Sequence, residues 1–260
     1  MITKERNRSI YKTAFDYLQK IKPEGVQLEK YFHGDNSNCK TLKDIYIQFI
    51  KSAQNYQAMP NVINFHERQE EISLMLHGFD YQKVAEMSEE ELYKTFRKKF
   101  HVTTTDQKKN SWYKWSCSVV DSAKFICGFT DIADFDKFIK LFDYNTASRM
   151  ALPLLIQRKI RGVGFALACD LLKELGYTSY PKPDVHLIDV FKEAGLCQGD
   201  PISVYEAIVQ MADDCKETPY KVDKVFWLIC SGYYYHEGIR IKSHKKDLIT
   251  LLKSIRLKDF

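Results

Sequence analysis

Apolar residues recur along the chain at helical spacing, and the strict alternation that marks a half-buried strand is missing. Ile45, Phe49, Ile50 and Ala53 fall at i, i+4, i+5 and i+8, and Val222, Val225, Phe226 and Ile229 at i, i+3, i+4 and i+7. Each set makes one apolar helix face. Starts are marked by Ser88-Glu-Glu-Glu, a capping-box pattern, by Asp131, and by Asp200-Pro201, where proline suits the first turn. Stops are marked by Gly78, Gly128, Gly176, Gly195 and Gly232. Segments of roughly 10 to 18 residues between these signals predict about ten helices. No internal repeat, low-complexity tract or Gly/Ser linker interrupts them, so any lobes are expected to pack directly on one another.

Composition narrows the class. The 260 residues are 45% apolar and 28% charged, which excludes disordered and fibrous chains. At roughly 150 residues per domain, the length suits one large domain or two small lobes. The longest apolar run, Met150 to Ile156 with Pro153 inside it, falls short of the ~20 residues of a membrane span. The first residues carry charge but no apolar h-region, so no secretion signal is expected. Seven widely spaced cysteines without a C-x-x-C pair read as reduced thiols in a cytoplasmic protein. With no H-x-x-x-H pair among the histidines, a side-chain metal site is not expected either. The net charge, 39 − 34 = +5, leans mildly toward polyanions.

One segment carries more chemistry than the rest. From Leu154 to Ile160 the pattern is helical; Arg161-Gly162-Val163-Gly164 breaks it; Phe165, Ala168, Leu171, Leu172 and Leu175 resume a helical stripe. Two helices joined by a Gly-x-Gly hairpin are implied, with free amides at a helix start directed at whatever docks there. Phosphate is the obvious anion, while glycines serving tight packing alone are the alternative. Then comes Tyr180-Pro-Lys-Pro-Asp-Val-His186. Pro183 forces an extended approach, and Asp184 sits where the next helix begins. It is either a helix cap alone or a rigidly held acid.

Taken together, the helix–Gly-Val-Gly–helix unit and the following Pro-Asp-Val-His resemble the helix-hairpin-helix (HhH-GPD) DNA glycosylase superfamily over about residues 154–191. Looser support comes from 49–56 and 222–232. The resemblance implies an all-α, two-lobed fold with the active cleft between the lobes. Residues 1–43 would pack with the C-terminal lobe, 44–183 would form a helical barrel carrying the hairpin at about 146–175, and 184–260 would form the C-terminal lobe. It further implies that the amides of Gly162, Gly164 and Leu167, with His186, hold DNA backbone. The carbonyls of Arg158, Ile160 and Val163 would hold a structural K+ or Na+ when DNA is bound, with no catalytic cofactor. Asp184 would stabilise the oxocarbenium-like sugar formed as the N-glycosidic bond breaks, and would orient or deprotonate water. The base must leave the stack first. Gln54 and Asn55 align loosely with the residues that fill the vacated gap. Bifunctional members carry a lysine two residues after the second hairpin glycine; here that position is Ala166. A monofunctional enzyme that leaves an abasic site is therefore expected.

For the base pocket, Trp112, Tyr113 and Trp115 beside Lys108, Lys109 and Lys114 are candidates for stacking, with core packing as the alternative. Tyr233-Tyr-Tyr-His236 is a candidate border of the cleft or part of the packing of the last helices. The stretch Lys242–Lys258 reads as a basic amphipathic helix, either a solvated face over a packed one or a further phosphate contact. The expected partner is double-stranded DNA with a damaged or modified base, engaged by a cytoplasmic monomer, nucleoid-associated in a bacterium, without membrane association. Alkylated purine leads the substrates; oxidised guanine, mismatched thymine and hypermodified phage bases follow. The rival class is a non-catalytic helix-hairpin-helix module that holds bent DNA.

Overall fold

A computed structural model describes residues 3–34, 39–56, 59–104 and 109–256. Lys108, Leu257 and Lys258 lie outside the described residues. The chain divides into two compact units, one of Met1–Asp35 with Gly176–Phe260, the other of Asn36–Leu175.

The discontinuous unit opens with α1 (Lys4–Ile21) and the single turn α2 (Glu29–Phe32). The second unit follows with α3 (Leu42–Ala53), α4 (Met59–Ile63), α5 (Phe65–Met75), α6 (Tyr81–Ala85), α7 (Glu89–Lys99), α8 (Ser111–Ile126), α9 (Ile132–Leu141), α10 (Thr146–Lys159) and α11 (Phe165–Glu174). The chain then returns to the first unit as α12 (Val185–Glu193), α13 (Pro201–Cys215), α14 (Pro219–Ser231), a hairpin of β1 (Tyr233–Tyr234) and β2 (Ile239–Arg240), and α15 (Lys245–Arg256). Fifteen helices among the described residues exceed the expected ten because α2, α4 and α6 are four or five residues long. One turn is too short to show periodicity. The two-residue antiparallel pairing of Tyr233 with Arg240 and Tyr234 with Ile239 escapes a pattern search for the same reason.

Local chemistry sets most of the helix ends. Ser88, Asp131 and Asp200 each cap as expected, their side chains accepting from Glu91, Asp134, and Ile202 with Ser203. Thr41 with Asp44 and Asn145 with Ser148 add two reciprocal capping boxes. The five glycine stops fall one to three residues past the ends of α5, α8, α11, α12 and α14.

In the 36–175 unit the axis of the core is α8, which packs on α3, α4, α6, α7 and α10. It is buried nearly all round, from Trp112 to Ile126. Trp115 is fully enclosed, edge-on to Phe65 and 5.2 Å from Phe96, and its indole N–H donates to the Ile50 carbonyl at 2.9 Å. Trp112 stacks on Phe100 at 4.9 Å and meets Phe96 at 5.4 Å. In the other unit, Leu187, Val190 and Phe191 of α12, Val204 and Ile208 of α13, Val222, Val225, Phe226 and Ile229 of α14, and Leu248 and Leu252 of α15 close one core with α1. α15 is tied to α12 by Lys245–Asp189 at 2.6 Å and Lys253–Glu193 at 2.7 Å. The apolar side of this helix packs on the core, and Lys246 is exposed.

Gly232 closes α14 at φ +63°, and a Cβ there would stand 2.5 Å from the Ile241 carbonyl oxygen and 2.9 Å from that of Lys242. Gly238 has φ +67° but open space around it. Gly232→Ala should therefore cost at least about 2 kcal/mol, several degrees in Tm, against about 1 kcal/mol for Gly238→Ala. Thermal unfolding of the two variants checks the difference.

Candidate active site

The hairpin is built as its sequence suggests. α10 ends at Ile160, the Val163 amide donates back to the Ile160 carbonyl at 3.2 Å, and α11 begins after Gly164. The two glycines do different work. Gly162 sits at φ +84°, and a Cβ on it would meet the Ser118 Oγ at 2.8 Å, so both conformation and packing demand glycine. Gly164 sits at an ordinary φ of −85° with nothing within 4 Å of where its Cβ would be. The fold makes no demand for glycine at 164.

Gly164 is also a helix cap without a side chain. Most helices of this chain receive a capping oxygen from Thr, Ser, Asp or Asn. The first-turn amides of α11, Leu167 among them, receive none from their cap. Leu167 buries its side chain, so only its backbone is available. An amide-rich helix start beside an open, side-chain-free surface has the chemistry of an anion site. At the other side of the turn, the carbonyls of Arg158 and Ile160 lie at the C-terminal end of α10, and that of Ile160 accepts the Val163 amide.

Asp184 is the N-cap of α12. Its Oδ1 accepts from the His186 amide at 2.9 Å and the Leu187 amide at 3.1 Å, while Oδ2 takes no hydrogen bond among the described residues. The capping and catalytic readings are thus compatible, since one oxygen fixes the carboxylate and the other remains free. The His186 amide is engaged by this cap. The His186 Nδ1 is buried without a hydrogen-bond partner among the described residues. The approach to Asp184 is fixed from α14, where Asp223, 1% exposed, accepts the Lys182 amide at 2.8 Å. Burial, and next the negative charge of Asp223, push the Asp184 carboxyl above the usual aspartate range, against the opposing pull of the Leu187 amide, His186 and Lys182.

The remaining candidates fall elsewhere. Gln54 is buried as the C-cap of α3, and its Oε1 accepts from the Phe65 amide at 3.1 Å, so it serves as the missing cap of α5. Its neighbour Asn55 is exposed. Trp112 and Trp115 are core residues with no open face to stack on a base, which corrects the base-pocket expectation for both. Tyr113 is partly exposed and packs edge-on against Tyr93 at 5.4 Å. Of the tyrosine run, Tyr234 is buried, and Tyr235 lies 4.9 Å from the Tyr31 ring. Ala166 holds the position two past Gly164; Lys159 is exposed, and Lys173 is buried 3.7 Å from Asp170.

The chain matches no protein-family model and no curated protein sequence. Its structure is similar to a crystal structure of the Methanocaldococcus jannaschii 8-oxoguanine glycosylase/lyase in complex with a 15mer DNA containing 8-oxoguanine. The likeness has a TM-score of 0.52 at 13% identity and covers 88% of this chain and 98% of that one. The two chains share a fold. Among the described residues it is all-α apart from the two-residue pairing of β1 and β2.

The raised Asp184 carboxyl has a consequence for stability. A folded-state pKa above the unfolded one favours the folded protein below the ordinary aspartate pKa, and that benefit is lost as pH rises through the folded value. Asp184→Asn keeps an oxygen for the cap and removes the charge. It should raise Tm at pH 7, with the gain vanishing near pH 3. A lower Tm at both pH values would contradict the sign.

Proposed function

We propose that the protein is a DNA glycosylase that extrudes a damaged or modified base and hydrolyses its N-glycosidic bond. The observation that carries this reading is the Asp184 carboxylate, locked through Oδ1 at a helix start and bare at Oδ2. Bond cleavage builds positive charge on the sugar, and a fixed negative oxygen needs no reorganisation to stabilise it. The same oxygen can take a proton from the attacking water. Support comes from the hairpin, where Gly164 and the uncapped amides of α11 suit a phosphate that must approach the backbone closely. The shared fold adds to it.

The reading extends to a monofunctional enzyme, because Ala166 offers no amine where a Schiff-base lysine would stand. The carbonyls of Arg158, Ile160 and Val163 would hold the monovalent cation, helping to neutralise the bound phosphate, and Asn55 is the exposed candidate for the gap left by the extruded base. For the substrate, Trp112 and Trp115 lie in the core and leave alkylated purine without these two stacking partners. The similar structure's lesion brings oxidised guanine forward beside it.

The test is a panel of duplexes carrying oxidised, alkylated, mismatched and hypermodified bases, treated with alkali after incubation. Wild-type protein should expose abasic sites in at least one lane, and Asp184→Asn should reduce release by a factor of about 10³ or more while duplex binding persists. Binding without release from any duplex would leave a non-catalytic DNA-binding module. Borohydride should trap no covalent adduct.

Two further outcomes follow from the geometry. Release at saturating DNA should fall on acidification with a limb above the ordinary aspartate pKa, because protonation removes the stabilising charge. Asp223→Asn, which deletes the neighbouring charge, should move that limb to lower pH in single-turnover profiles. Gly164→Ala should leave Tm within about 1 °C while weakening duplex affinity by about tenfold, whereas Gly162→Ala should destabilise the fold by about 1–2 kcal/mol.

A further inference from the structure

Arg161 lies in the hairpin directly before Gly162, and it is held by side chains from α7 and α8. Asp121, buried on α8, accepts from the Arg161 backbone amide at 3.0 Å, from Nε at 2.7 Å and from Nη2 at 2.8 Å. Ser118 Oγ donates to the Arg161 carbonyl at 2.7 Å, and the same oxygen is the atom that a Cβ on Gly162 would strike. Glu89 on α7 accepts from Nη1 at 2.7 Å. Lys114, Ser118 and Asp121 fall at i, i+4 and i+7, so one face of α8 presents a carbonyl, a hydroxyl and a carboxylate to the turn.

Two consequences follow. Both backbone polar groups of Arg161 are fixed by side chains of a helix that is itself buried nearly all round, so the peptide entering the Gly-x-Gly turn cannot rotate without breaking charge-assisted hydrogen bonds. The guanidinium charge, moreover, is answered by two carboxylates, and Arg161 in turn holds the Glu89 carboxyl below its usual range. The one cation in the turn is therefore already neutralised.

We propose that Asp121 and Ser118 are positioning residues that preset the hairpin amides for a DNA phosphate, and that Arg161 acts as a strut of this brace and makes no phosphate contact. The inference rests on the glycosylase reading of the hairpin, which it deepens. A braced turn presents neutral donors at fixed positions, so binding loses little conformational freedom there. Glu89 touches only the outer guanidinium nitrogen and leaves the backbone alone.

The experiment compares Asp121→Asn, Ser118→Ala, Glu89→Gln and Arg161→Gln with wild type by amide hydrogen exchange over residues 158–168 without DNA, and by duplex affinity across a salt series. Asp121→Asn and Ser118→Ala should speed exchange in the hairpin and weaken binding, about tenfold and about threefold. Glu89→Gln should leave both within about twofold. Single-turnover base release at saturating DNA should stay within about twofold of wild type in Glu89→Gln, which touches neither the backbone of the turn nor Asp184. Arg161→Gln should bind more weakly with an unchanged salt slope; a slope lower by about one unit would make Arg161 a phosphate contact and overturn its role as a strut. Unchanged exchange in both Asp121→Asn and Ser118→Ala overturns the brace, as does faster exchange with wild-type affinity. If Asp121→Asn does not fold, Ser118→Ala, which removes a single oxygen, carries the test. A wild-type protein that neither binds duplex nor releases a base defeats the glycosylase reading, while the exchange arm still decides whether Asp121 and Ser118 hold the turn.

Discussion

Two hydrogen bonds from the first turn of α12 to one oxygen of Asp184 are the constraint on which the proposed chemistry depends. Without them the side chain would be an ordinary mobile carboxylate. With them, its plane is set by the helix, and the second oxygen keeps its lone pairs for whatever reacts. The sequence around it is arranged to keep that geometry. Pro183 restricts the approach to extended conformations, and the Asp223 carboxylate holds the Lys182 amide two residues ahead of the cap. Burial and the Asp223 charge oppose ionisation, while the helix amides favour it, and the first pair prevails. On the glycosylase reading, the stability given up by holding a charge there is the ordinary cost of a preorganised reactive group.

The hairpin solves a complementary problem with neutral groups. Gly162 is required by the turn itself, since only glycine combines φ +84° with a backbone lying against Ser118. Gly164 is not required by the turn, which on the glycosylase reading leaves room there for a phosphate. The same logic explains why α11 lacks a capping side chain. An Asp or Ser at 164 would occupy the amides and crowd the space in front of them.

Much of this could be read from sequence, because its determinants are local. The caps at Ser88, Asp131 and Asp200, the stops at the five glycines, the faces of α3 and α14, and the hairpin boundaries all depend on residues within about one turn of each other. What escaped depends on partners far along the chain. Gln54 reads as a polar residue at a helix end, and only its bond to Phe65, across the turn α4, shows that it caps α5. Trp112 and Trp115 read as an aromatic cluster among lysines, and only the packing of α3, α5 and α7 around α8 makes them core. Asp223 sits beside Val222 and Lys224 on a helix buried at each of these positions, and a buried carboxylate requires a specific partner.

Charge distribution gives the division between acid and amides its physical sense. A net charge of +5 spread over 260 residues makes a weak attractive field, and several of the cations are already paired. Lys245 with Asp189, Lys253 with Glu193, and Arg161 with Asp121 and Glu89 add little to the pull on a polyanion. On the glycosylase reading, so weak a field would not by itself fix the register of a duplex, whereas uncapped amides at a braced helix start would, because a hydrogen bond to phosphate is directional where a screened charge is not.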